Sequence, residues 1–91
     1  MGRYRLKILD ILRSRNGEIN LSEVLNDKTL IKSQEDIDDV LTEICNMTAL
    51  KLIEVAEVED PTEGRDLKLK ITELGKTYLK LSKLFKGITI N

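Results

Sequence analysis

The residues with the best spacing for chemistry lie in SQEDIDDVLTEICNM, residues 33 to 47, where Asp36 and Asp39 stand one helical turn apart and could share a proton. A carboxylate pair alone makes no active site, and the chain shows no nucleophile beside a base to complete one. There is no histidine, so a His-containing metal site and a His-based catalytic triad are both excluded. The single cysteine, Cys45, has no partner within the chain for a disulfide. Its helical neighbours Thr42, Asn46 and Ala49 bring no cation to activate the thiol, so it is expected to be a small, partly buried residue. The sequence therefore predicts no enzyme, no metal and no cofactor.

Charge is the stronger signal. Formal net charge is -1, but residues 1–17 carry five basic groups and one acid, 18–63 three and thirteen, and 64–91 seven and two. A chain basic at both ends and acidic in the middle is built to meet charged partners. The opening MGRYRLKILDIL has an apolar stretch interrupted by Lys7 and Asp10, which fits neither a signal peptide nor a membrane span. The expected setting is cytoplasmic, with no membrane partner.

The elements that must hold these groups can be read from periodicity. With 91 residues there is room for one domain, 1–91, with one core built from Leu, Ile and Val, because only three aromatics are present. Leu6, Ile8, Leu9, Ile11 and Leu12 predict a first helix from Tyr4 to Arg13, stopped by Asn16-Gly17. Glu18-Ile19 reads as a short extended link able to pair with a later strand. Asn20 and Glu23 look like a cap and its partner for a short helix containing Leu21, Val24 and Leu25. After a connection from Asn26 to Lys32, Ser33 caps a third helix with Asp36 in capping-box position. Its stripe is Ile37, Val40, Leu41, Ile44 and Met47. LIEVAEVE (52–59) and Leu67 to Ile71 read as two strands joined by DPTEGRD, and Thr72 caps a last helix over 73–88.

That order resembles the winged helix-turn-helix family over nearly the whole chain. The most telling stretches are VLTEICNMTALKLIEVAEV and LKLKITELGKTYL. Leu52-Ile53 resembles the apolar pair that starts the first wing strand in MarR-like and PadR-like regulators of bacteria and archaea, archaeal viruses and plasmids included. Thr72-Glu73-Leu74-Gly75 resembles the turn that leads their second wing strand into a helix. The resemblance implies an α+β, mainly helical fold with three helices, a two-stranded β-hairpin wing and a C-terminal helix. It further implies a small DNA-binding transcriptional regulator, its third helix in the major groove and its wing on the phosphate backbone. Where the family usually has glycine before the apolar pair, this chain has Lys51, which carries strain if the backbone there is left-handed.

Candidate contacts follow from charge and exposure. For double-stranded DNA they are an N-terminal arm of Arg3, Arg5 and Lys7, the wing residues Arg65, Lys68 and Lys70, and Thr42 and Asn46 on the third helix. The same helix is expected to expose Glu35, Asp36, Asp38, Asp39 and Glu43, which oppose phosphate binding. An alternative is therefore a protein-interaction module that offers Asp36, Asp38, Asp39 and Glu43 to a basic protein partner. Leu74, Tyr78, Leu81 and Phe85 repeat at steps of four and three, the spacing of a coiled-coil seam, and predict a homodimer through the last helix.

Overall fold

A computed structural model describes the backbone of residues 4–60 and 64–89 and the side chains of 4–59 and 64–85. The fold is α+β and mainly helical, in the order α1 (Arg5–Ser14), β1 (Glu18–Asn20), α2 (Leu21–Leu25), α3 (Gln34–Ala49), β2 (Ile53–Asp60), β3 (Gly64–Ile71) and α4 (Glu73–Thr89). The expected hairpin is part of a three-stranded antiparallel sheet in the order β1-β3-β2. The short link after α1 does pair, Ile19 opposite Leu69, so β3 is the central strand.

Each junction has a local cause. α1 ends with Asn16 and Gly17 at φ 62° and 90°, and the Gly17 amide donates back to the Leu12 carbonyl at 2.7 Å. The Gly17 carbonyl then accepts from the Ile71 amide at 2.9 Å, which hands the chain to the sheet. α3 ends the same way with Lys51 in the left-handed position at φ 66°; Leu52 donates to Met47 (2.9 Å) and Lys51 to Thr48 (3.1 Å). These are the two bonds of a Schellman motif, in which glycine normally takes the left-handed place. They explain why a lysine there is unusual.

α2 departs from expectation. Asn20 makes no side-chain cap bond. The carboxylate of Asp66, on β3, accepts instead from the Ser22 amide at 3.3 Å and the Ser22 hydroxyl at 2.5 Å. The helix is too short to hold itself, and its Ser22 amide is satisfied by a strand distant in sequence. The connection between α2 and α3 is longer than a tight turn because it contributes to the core: Leu30 is buried and Ile31 packs against the cluster.

The core joins Ile8, Leu9 and Leu12 of α1 to Val40, Ile44 and Met47 of α3, with Val24, Leu52, Ile53, Leu69, Ile71 and Leu79 closing around them. α4 enters through a close contact. The Thr72 amide donates to the Leu52 carbonyl at 3.1 Å, and its hydroxyl lies 2.6 Å from the Lys51 carbonyl and accepts from the Gly75 amide at 2.9 Å. A Cβ on Gly75 would stand 2.1 Å from the Leu52 carbonyl oxygen. The Thr-Glu-Leu-Gly turn is thus a place where α4 touches backbone, which only glycine allows.

Candidate functional site

The acidic face of α3 is narrower than its sequence suggests. Glu43 is buried at 7% exposure on the same side as Val40, Ile44 and Met47. Its carboxylate takes the Arg5 Nε at 2.6 Å, and the Arg5 guanidinium also reaches the Tyr78 hydroxyl at 3.4 Å and lies 5.8 Å from that ring's centre. The Glu43 hydrogen bond, then the one to Tyr78, raises the pKa of Arg5 further. This cluster ties α1, α3 and α4 together. Asp36 is likewise engaged: it accepts from the Tyr4 hydroxyl at 2.6 Å and from the Lys32 amide at 2.8 Å. The capping box is therefore displaced by one residue, to the amide before Ser33, while Ser33 itself accepts from the Asp36 amide at 3.4 Å.

Two expected sets of contacts change accordingly. Arg5 belongs to an interior ion pair and not to a free arm, and it opens α1, so Lys7 is an exposed helical residue. Arg3 lies outside the described residues, as does the tip of the turn at 61–63. Asp36 and Glu43 are structural, which leaves Glu35, Asp38 and Asp39 as the exposed carboxylates of α3. Thr42 and Asn46 are exposed on that helix as expected. Cys45 is also exposed, against the reading of it as partly buried. Its phase lies one residue beyond the buried Ile44, so helical geometry and not residue type decides its position.

The hairpin is less cationic than its strand-three residues alone suggest. Residues 53–71 carry six acids and three bases. Arg65 pairs with Glu57 at 2.8 Å and Lys68 with Glu18 at 3.2 Å. Lys70 stands in register between Glu18 and Glu54. Because β3 is central, Lys70 faces an acid on each neighbouring strand and Lys68 reaches Glu18 on one of them; neither lysine guards an edge. Arg65 is far more exposed than Lys68, with 80% against 43% of the side chain accessible. A shallow open groove beside it is lined by Leu21 of α2 and by Glu57, Arg65, Asp66 and Leu67 of the hairpin.

The remaining positive charge lies mainly on α1 and α4. Lys83 Nζ is 2.8 Å from Asp10, which joins the two helices. Lys7, Lys76 and Lys80 are exposed nearby in sequence on the same pair of helices. Among the described side chains of α4, Gly75 and Leu79 are buried and Tyr78 is half-buried. The predicted seam residues Leu74, Leu81 and Phe85 face outward, so the core contact belongs to Leu79, which the heptad spacing had placed off the seam.

What fold and surface define together is a small α+β domain with an acid-rich α3 and hairpin and a lysine-rich α4. Searches against protein-family models, curated proteins and solved structures return no match. Among the described residues, no helix is long and apolar enough to cross a membrane.

Proposed function

We propose that the chain is a winged-helix domain that binds double-stranded DNA as a transcriptional regulator, with β2–β3 as its wing. The observation that carries the reading is the element order α1-β1-α2-α3-β2-β3 with sheet order β1-β3-β2, which sets α3 against the start of a projecting hairpin. Arg65 and Lys70 supply the phosphate contacts, and Thr42 and Asn46 are the groups of α3 able to meet base edges. The ion pair of Arg65 is an exposed one, worth about 0–1 kcal/mol, so a phosphate can replace Glu57 as its partner. Glu57 stays in place, however, and Glu35, Asp38 and Asp39 add to the repulsion. The protein is therefore a weak binder of arbitrary duplex, contacting few phosphates.

The test is the anisotropy of a fluorescently labelled random duplex, titrated at about 50 and 200 mM salt and repeated with Arg65→Gln. Affinity that falls with salt and falls again with Arg65→Gln supports the reading. Absence of binding at the lower salt, with no duplex recovered by selection from a random pool, refutes it.

A second reading rests on one specific observation: Gln34–Ala49 contains no Lys or Arg. An exposed face of Glu35, Asp38 and Asp39 suits a basic protein segment better than a phosphate backbone. Charge reversal of these three residues would abolish capture of such a partner and leave the fold intact.

A further inference from the structure

One side of the β2 backbone is left open. The strand pairs along its whole length with β3, and β1 takes the far side of β3, so β2 ends the sheet. Among the described residues, no backbone hydrogen bond joins 53–59 to anything but β3. The outward amides and carbonyls of β2 therefore form the row of donors and acceptors to which an extended segment can add as a further strand.

The side chains beside that row say which segment fits. Successive strand residues alternate, so Glu57 and Glu59 share one side of the sheet with Ile53 and Val55, and Glu54 shares the other with Ala56 and Val58. All three carboxylates are exposed. Among the described residues, Glu54 and Glu59 form no ion pair and Glu57 forms one, with the 80%-exposed Arg65. Lys70 stands opposite Glu54 but also opposite Glu18, so it is shared. A shallow hollow lined by Glu57, Val58, Glu59 and Arg65 lies at the distal half of the strand. The edge thus carries more negative charge than its own hairpin offsets, set next to open backbone groups. A strand laid there brings its Cβ atoms to roughly 4.5–5.5 Å from those opposite, within reach of a lysine or arginine for each carboxylate.

We infer that β2 is a docking edge for an extended cationic segment of another protein, which joins the sheet as a fourth strand antiparallel to β2. The register sets the pattern of that segment. Its first and third residues are basic and stand opposite Glu59 and Glu57, and its sixth is basic and stands opposite Glu54 on the other side of the sheet. Small or apolar residues face Val58, Ala56, Val55 and Ile53. The inference depends neither on duplex binding nor on the acidic face of α3, whose backbone is closed by its own helix, so each can fail alone.

The probe is a fluorescently labelled peptide, capped at both ends, of sequence Lys-Val-Lys-Thr-Val-Lys-Val, titrated with the whole chain and followed by anisotropy. A second peptide of the same sequence carries N-methyl groups on the amides that face β2, which removes the strand hydrogen bonds and keeps the charge. The expected result is saturable binding that weakens between about 50 and 200 mM salt, falls about tenfold or more with Glu54→Lys/Glu59→Lys, and is lost with the N-methylated peptide. Both altered positions are exposed, so the fold survives, as far-UV circular dichroism would verify. Absence of binding overturns the inference, and so does equal binding of the N-methylated peptide, which would reduce the contact to charge alone. An affinity that survives the β2 changes and is lost with Glu35→Lys/Asp38→Lys/Asp39→Lys would give the cationic segment to α3 and overturn it equally.

Discussion

Gly75→Ala is the most severe one-atom change the structure predicts. The added Cβ would sit 2.1 Å from the Leu52 carbonyl oxygen, 2.9 Å from Ile71 Cγ1 and 3.1 Å from the Leu52 carbonyl carbon. Two of these atoms are backbone, and the Leu52 carbonyl is already fixed by the Thr72 amide at 3.1 Å and lies 3.0 Å from the Thr72 hydroxyl. Relief requires α4 to lift from the sheet, which loosens the buried Leu79. Alanine gains about 1 kcal/mol over glycine as a helix former. Forcing extra atoms into packed structure costs about 1–3 kcal/mol, and the upper end applies where backbone must move. The net loss is about 2 kcal/mol, which in a domain of this size lowers Tm by roughly 8–16 °C. Urea unfolding followed by circular dichroism, with m unchanged, reads the loss directly. A variant as stable as the parent, or more so, refutes the close approach of α4 to the Leu52 carbonyl.

Four further outcomes are expected. Lys51→Gly should stabilise by up to about 1 kcal/mol, because the left-handed backbone at φ 66° costs a lysine more than the added chain entropy costs glycine; a lower urea midpoint would contradict this. Glu43→Ala should cost about 1–2 kcal/mol by leaving Arg5 without its carboxylate, less than for a fully buried pair because Arg5 keeps 18% side-chain exposure, and the double change Arg5→Met/Glu43→Leu should recover much of the loss. Asp38→Asn with Asp39→Asn should tighten random-duplex binding in the anisotropy titration, and unchanged or weaker affinity would count against repulsion by α3. Asp27 is held below its usual 3.8 by hydrogen bonds from the Thr29 hydroxyl and amide. Its contribution is present in full above 3.8 and is lost as pH falls through the lower folded value, so Asp27→Asn should flatten the acid limb of the stability profile.

The scaffold was legible because its signals are local. Asn16-Gly17 ends α1, Ser33 starts α3, and the alternation in 67–71 marks a strand whether or not its partner is known. What failed was assigning side from residue type. Asp36 and Glu43 share the helical phase of Val40 and Met47, and phase alone turns them inward; their charge argues for the outside, and the partners that overturn it are Tyr4, just before α1, and Arg5, its first residue. Arg5 was misplaced for the same reason. The cap of α2 could not be read locally at all, since Asp66 lies forty-four residues from Ser22 in sequence. The hairpin's balance was a matter of attention to one strand: Lys68 and Lys70 are conspicuous on β3, but their environment is set by Glu18 and Glu54 on the strands to either side. Spacing alone puts Leu79 off the predicted seam without saying where it goes; its burial depends on Gly75 letting α4 come close.

The sheet order leaves β2 as the long outer strand, eight residues with one ladder partner among the described residues. An unsatisfied strand edge invites another chain to add to it, and Glu54, Glu57 and Glu59 place carboxylates along that strand. Their service is then colloidal: at neutral pH, two hairpins approaching edge to edge repel before their backbones can bond. Carboxylates spaced along an open edge thus act between molecules and not within one, by opposing edge-to-edge association of the chain.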